Sequence, residues 1–223
     1  MISSALQSLR SGKPVLIFDS SDREGETDIV VASQFVTPQI IRMMRKNGGG
    51  LICTTIKSCH ARKIGLPLLE DLYSSNLSIG NALTDTNDMK YDKSSTFSIT
   101  VNSRDTFTGI PDIDRSKTVN HIADFIGNIK NEKPEDFARI FRAPGHIHLL
   151  IATDGYFKNR RGHTELSTYL VEQAGLIPSA TIVEMLSDSG YSMTYDETKK
   201  YADQNSLDII TGDEIIKYWG ENH

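Results

Sequence analysis

Apolar positions along the chain follow two rhythms, one close to the 3.6-residue period of a helix and one with the two-residue period of a strand. Ala5, Leu6 and Leu9 form a helical stripe stopped at Gly12, and the apolar run 14–18 after it predicts a strand. The polar stretch 19–26 separates it from a second predicted strand at 29–32. Thr37 and Pro38 supply an N-cap and a first-turn proline for a helix whose buried face is Ile40, Ile41, Met43 and Met44. Asn47-Gly48-Gly49-Gly50 ends that helix, and residues 51–56 predict the next strand.

Residues 66–87 show no clean period and are expected to be loops, whereas Phe97, Ile99 and Val101 alternate as a half-buried strand does. Asp114 is placed to cap a helix carrying Val119, Ile122, Ala123 and Ile126. Pro144-Gly145 marks a turn into a strand at 146–152. Gly162-His163-Thr164 opens a helix with Leu166, Leu170, Val171 and Ala174, closed by Gly175. A strand at 181–186, a tight turn at 188–190, a helix from about Asp196 and a short strand at 207–210 follow. Thr211 and Glu214 form a capping box for the last helix. With no repeat, low-complexity tract or linker, the expectation is one domain over 1–223, of α/β (α+β) class, with a mixed β-sheet flanked by helices. The broken rhythm between 66 and 113 argues against an all-parallel sheet.

Composition narrows the function. The 223 residues are 38% hydrophobic and 24% charged with a net charge of −5, so broad binding to a nucleic-acid backbone is excluded as the main task. A local arginine cluster can still hold one small phosphate. The two cysteines, Cys53 and Cys59, cannot build a disulfide framework or complete a zinc set, which suggests a reducing cytoplasm. No secretory leader is visible at the start, and no apolar run approaches the roughly 18 residues that span a bilayer.

The triple glycine follows a helix and precedes a strand, the wrong order for a phosphate-cradling loop. The acidic turn Asp22-Arg23-Glu24-Gly25-Glu26-Thr27-Asp28 is more demanding. In an extended chain Glu24, Glu26 and Asp28 would share one side. Neighbouring charges roughly 7 Å apart then repel by about 2–3 kcal/mol at an effective dielectric of 20, but by only about 0.6 kcal/mol in water. The turn is therefore either a solvated loop or a site for a hard dication such as Mg²⁺. Arg160-Arg161-Gly162-His163-Thr164-Glu165 combines two guanidinium forks, a hydroxyl and a helix start, which suit a phosphate monoester. Its plainer reading is a helix N-capped by Thr164 with incidental arginines. His146 follows the Pro-Gly turn, where an imidazole can shuttle protons. Glu184 lies in an apolar strand, facing outward or serving as a tuned acid or base.

Taken together these segments resemble the 3,4-dihydroxy-2-butanone 4-phosphate synthase family of riboflavin biosynthesis. Its D-R-E-x-E-x-D signature stands complete at Asp22 to Asp28 and its R-x-G-H-T-E signature at Arg160 to Glu165. The P-G-H turn is Pro144-Gly145-His146, and the later strand carboxylate is Glu184. The resemblance implies that Glu24 and His163 hold a divalent cation, Mg²⁺ or Mn²⁺, with no organic cofactor. It implies that Arg23, Glu24, Asp28, Thr108, Arg160, Arg161, Gly162, His163, Thr164 and Glu184 contact the substrate, D-ribulose 5-phosphate. It makes His146 and Glu184 catalytic, with Glu26 and Asp28 contributing to proton transfer. A homodimer with sites at the subunit interface is implied as well. The chain departs from the family pattern at Pro111-Asp112-Ile113 and at His148 and Leu149. It lacks the cysteines of the cyclohydrolase domain that many relatives carry, so it is expected to be monofunctional.

The family reaction removes a proton from the ketose C3, loses the C1 hydroxyl as water, shifts the skeleton and releases C4 as formate. Grouped carboxylates and imidazoles beside a dication are the groups such proton movements require. The competing readings are another divalent-metal sugar-phosphate enzyme, an isomerase or phosphatase, and a non-catalytic sugar-phosphate binder.

Overall fold

A computed structural model describes residues 2–222. Its elements in chain order are α1 (Ile2–Arg10), β1 (Val15–Phe18), β2 (Thr27–Ala32), α2 (Pro38–Asn47), β3 (Cys53–Lys57), α3 (Ser58–Ile64), α4 (Leu69–Asn76), α5 (Gly80–Leu83), β4 (Phe97–Ser103), α6 (Asp112–Gly127), α7 (Pro134–Ile140), β5 (Phe141–Ala152), α8 (His163–Gln173), β6 (Ala180–Glu184), α9 (Tyr195–Asn205), β7 (Asp208–Thr211) and α10 (Gly212–Asn222). The strands form one seven-stranded mixed sheet in the order β4-β5-β3-β6-β2-β1-β7. The expected mixed α+β architecture is what the chain adopts.

Both faces of the sheet are covered, which explains why its strands read as nearly unbroken apolar runs. Leu16, Ile29, Val31, Ile56, Leu149 and Val183 point into one core with Ile41 and Met44 of α2 and Val119 and Ile122 of α6. Val15, Ile17, Val30, Cys53, Leu150 and Ile182 alternate to the other face, against Leu6 and Leu9 of α1, Leu166 and Leu170 of α8 and Ile215 of α10. Helix α8 is buried from His163 through Val171 and packs against β1, β2, β3, β5 and β6. Its polar groups are matched by partners: Thr168 Oγ1 donates to Thr55 Oγ1 at 2.7 Å, Thr164 Oγ1 lies 3.0 Å from Thr96 Oγ1, and Glu165 binds Arg160 at 2.8 Å.

Several elements differ from expectation. Residues 66–87 contain α4 and α5 rather than loops only; α4 buries no side chain, so no apolar stripe betrays it. Helices α3 and α7 also form where none was expected. Helix α6 begins at Asp112, and Asp114 is not its cap: its carboxylate accepts from the backbone N–H groups of Thr108 and Gly109 at 3.1 and 2.8 Å. Pro144-Gly145 is not a turn before a strand but part of β5 itself. Val101 pairs with Ile147 while Asn102 pairs with Arg142, so residues 143–146 bulge out of the β4–β5 ladder. Glycine is required there, since a Cβ on Gly145 would meet the Val101 carbonyl carbon at 1.9 Å. Strand β6 stops at Glu184, short of the expected 186, and Leu186 makes only an isolated bridge with Ser192. Thr164 is not the N-cap of α8, a position taken by Gly162 without a side-chain bond.

Candidate functional site

The chain leaves β1 at Phe18 and returns at Thr27 through a tight loop organised by one residue, Asp19. Its carboxylate accepts from the Glu24 and Glu26 backbone N–H groups at 3.1 and 3.0 Å and from Arg23 Nη1 at 3.0 Å. Folded this way the acidic turn is not extended throughout: Gly25 takes a φ of +68° and β2 begins only at Thr27. Glu24 Oε2 lies 3.3 Å from His163 Nδ1, and Asp28 Oδ1, buried on β2, lies 3.7 Å from the same nitrogen. Glu26 instead accepts a 2.5 Å hydrogen bond from Ser192. Glu184 is the cross-strand partner of Asp28, so alternation opposite Val183 places it on the α8 side of the sheet.

These placements set the charges. Burial raises Glu24, but the His163 hydrogen bond and the Arg23 guanidinium outweigh it and hold the carboxyl down at about 2. Burial lowers His163, yet Asp28, Glu24 and Asp19 outweigh that in turn and lift the imidazole to about 9. Asp28 is pushed up to about 8 by burial, reinforced by Glu184 and only partly offset by His163. Burial, with Glu26 nearby, also raises Glu184. Directly opposed residues on paired strands have Cβ atoms only about 5 Å apart, so these two acids disfavour each other's ionisation.

Ligand atoms of Asp19, Glu24 and His163 all lie within 4.8 Å of one another. His163 Nε2 is 3.2 Å from the Ile17 carbonyl, which can only accept, so Nε2 carries a proton and Nδ1 is the ring atom turned toward the carboxylates. Asp28 Oδ1 is buried without a hydrogen-bond partner. An imidazole nitrogen of fixed tautomer, two further carboxylates and an orphaned carboxylate oxygen fit a hard divalent cation.

The second signature joins this centre. A Cβ on Gly162 would meet Arg160 Nη1 at 2.2 Å and Arg23 Nη2 at 2.6 Å, so the missing side chain lets two guanidiniums close on the start of α8. Arg161 is exposed. Thr108 and His146 are not linked to the cluster; both are exposed, and the buried Asn102 holds them. Asn102 Nδ2 lies 3.1 Å from His146 Nδ1 and 3.3 Å from the Thr108 carbonyl.

A model of the 3,4-dihydroxy-2-butanone 4-phosphate synthase family matches residues 3–218. The chain belongs to that family. It is 42% identical over 219 residues to the 3,4-dihydroxy-2-butanone 4-phosphate synthase of Archaeoglobus fulgidus, covering 96% of this chain and 92% of the relative. It is 41% identical to that of Methanothermobacter thermautotrophicus, covering 99% of this chain and 96% of that one. Among solved structures, the Candida albicans 3,4-dihydroxy-2-butanone 4-phosphate synthase superposes with a TM-score of 0.77 at 27% identity, over 97% of this chain and 96% of that one. Another 3,4-dihydroxy-2-butanone 4-phosphate synthase, solved in complex with two magnesium ions, shares the fold with a TM-score of 0.76 at 24% identity, over 99% of this chain and 96% of that one.

Four residues around this synthase-family site escape the motif reading. Asp19 organises the acidic loop, Asn102 fixes Thr108 and His146, and Asp92 sits between Arg23 and Arg160. The fourth, Cys53, pairs across the sheet with Ile182; burial raises its thiol, with Glu184 and Asp28 adding to the effect. Asp19 directly follows β1, at the strand end from which the acidic loop leaves. Nothing local marks the other three. A cleft of about 440 Å³ between Lys57, Tyr156 and Trp219 contains none of the motif residues; one of about 410 Å³ contains Arg23, Arg160 and Arg161.

Proposed function

We propose that this chain is a lyase that converts D-ribulose 5-phosphate to L-3,4-dihydroxy-2-butanone 4-phosphate and formate, with its centre at Glu24, Asp28, His163 and Glu184. The observation that carries the reading is the approach of Glu24 to His163 Nδ1 at 3.3 Å, beside guanidiniums from both signatures. Glu24 and His163 are assigned to a divalent cation, Mg²⁺ or Mn²⁺, with Asp19 close enough to assist. When bound, such an ion offsets the negative charge that grows on adjacent substrate oxygens as a neighbouring carbon loses its proton.

The chain's own groups have the remaining work. Asp28, lifted to about 8, keeps a proton available near neutral pH, and it is assigned with Glu184, itself raised by burial, and with Glu26 and His146 to the proton transfers. Arg23, Arg160, Arg161, Gly162 and Thr164 are assigned to the phosphate, which serves as a handle that orients the reacting carbons. No organic cofactor is needed for this sequence of proton shifts.

Thr108 and His146 are assigned to a neighbouring copy's site in a homodimer. Phe107 is 93% exposed and Ile113 68% exposed on the segment carrying Thr108, an apolar surface suited to a second subunit. Purified chain with ribulose 5-phosphate and Mg²⁺ is expected to release formate stoichiometrically, and to stop on addition of EDTA. Release of inorganic phosphate without formate would point to a phosphatase, and a pentose isomer without formate to an isomerase.

A further inference from the structure

Beside the acidic loop, the cleft of about 410 Å³ is lined by Arg23, Arg160 and Arg161 together with Lys90 and Lys158. Two of its guanidiniums nevertheless already hold carboxylates of the chain itself. Asp92 Oδ2 binds Arg23 Nη2 at 2.5 Å and Arg160 Nη2 at 2.6 Å, and the Asp92 side chain is almost completely buried. The other terminal nitrogens are committed too, Arg23 Nη1 to Asp19 and Glu24 and Arg160 Nη1 to Glu165. Both Nε–H groups are buried without an acceptor. Tyr91, next to Asp92, stacks its ring 5.2 Å from the Arg23 guanidinium carbon and covers it. Thr86 Oγ1 donates to the Lys93 carbonyl at 2.7 Å, closing the base of the loop that carries Lys90, Tyr91 and Asp92.

Every terminal nitrogen of Arg23 and Arg160 thus already meets a carboxylate, and an incoming anion can bridge the two Nη2 groups only when Asp92 leaves. Asp92 offers those two cations one negative charge through a single oxygen. A phosphate monoester near neutral pH offers close to two charges and three oxygens, enough to replace Asp92 and also reach donors now left without acceptors. A carboxylate offers nothing that Asp92 does not already supply.

We propose that Asp92 is a built-in competitor for the anion subsite of Arg23 and Arg160, and a specificity-determining residue that admits phosphate esters and turns away carboxylates. This rests on the assignment of those arginines to the substrate phosphate.

The test is calorimetric titration of the metal-free protein at about pH 8, where phosphate is chiefly a dianion. Inorganic phosphate and acetate are the two probes. Wild type is expected to bind phosphate and not acetate. Asp92→Asn, which keeps the shape of the side chain, is expected to bind phosphate about tenfold more tightly, the size of one charge-assisted hydrogen bond no longer given up. Asp92→Ala is expected also to acquire acetate binding, in the space its own carboxylate vacates. Phosphate affinity that is unchanged or weaker in Asp92→Asn, with its thermal midpoint preserved, would overturn the proposal and make Asp92 a support for the arginines instead. Formate release by wild type is scored separately. Tighter phosphate binding in Asp92→Asn without any wild-type turnover would retain the competitor and refute the lyase.

Discussion

The chemistry-bearing residues fall into two regions built in opposite ways. Around His163 the groups are buried, charged and interlocked, with Asp19, Glu24, Asp28 and Arg23 all within direct reach of one another or of the imidazole. Around His146 they are exposed, held by Asn102 on the edge strand with large exposed apolar side chains nearby. The first region has its partners within the chain. The second is positioned by Asn102 yet faces outward, the side on which the proposed second copy would stand.

The most severe break in this contrast is at the buried centre. Glu24→Ala or His163→Ala is expected to lower turnover by at least about a thousandfold. Titration with Mn²⁺ followed by electron paramagnetic resonance should show the ion lost; ion binding equal to wild type would sink the ligand assignment. Mixing sharpens the comparison next. If Glu24 and His146 serve one site from different copies, combining inactive Glu24→Ala and His146→Ala proteins restores about one quarter of wild-type activity through random pairing of two-fold dimers. Recovery of none would place both residues in one subunit's site.

A smaller and more selective effect is expected at Glu184→Gln, where Mn²⁺ and phosphate binding persist while formate release falls by about a hundredfold or more. An active variant would remove Glu184 from the chemistry. The mildest expectation concerns pH. His163 is raised to about 9, so at pH 7 a cation must displace its Nδ1 proton. Cation affinity should climb by up to about tenfold per pH unit between 7 and 9 and then level off. An affinity flat across that interval would show that the proton is not in competition with the ion.

Much of this was legible in the sequence because catalytic chemistry is packed into short windows. The acidic turn and the Arg160 to Glu165 signature each lie within seven residues, and the helix that the second one opens begins where its glycine predicts. Other features depend on contacts that no window contains. Asp92 meets Arg23 across 69 positions and Asn102 meets His146 across 44. Glu184 was ambiguous because alternation names a face without saying what covers it, and only the packing of α8 resolves that. Helices α4 and α5 were invisible for a different reason: periodicity reports burial, and these helices bury almost nothing.

The hydroxyls along α8 have a consequence beyond satisfying buried oxygens. Thr164 on Thr96, just before β4, and Thr168 on Thr55 of β3 work as index pins between the helix and the chain beneath it. Advancing that helix by a single residue would rotate its first imidazole by about 100° and aim it away from the acidic loop. The alignment of reactive groups is thus inherited from hydroxyl contacts outside the two signatures, at Thr55, Thr96 and Thr168, and transplanting the signatures into another scaffold without those pins would carry over the letters but not the geometry.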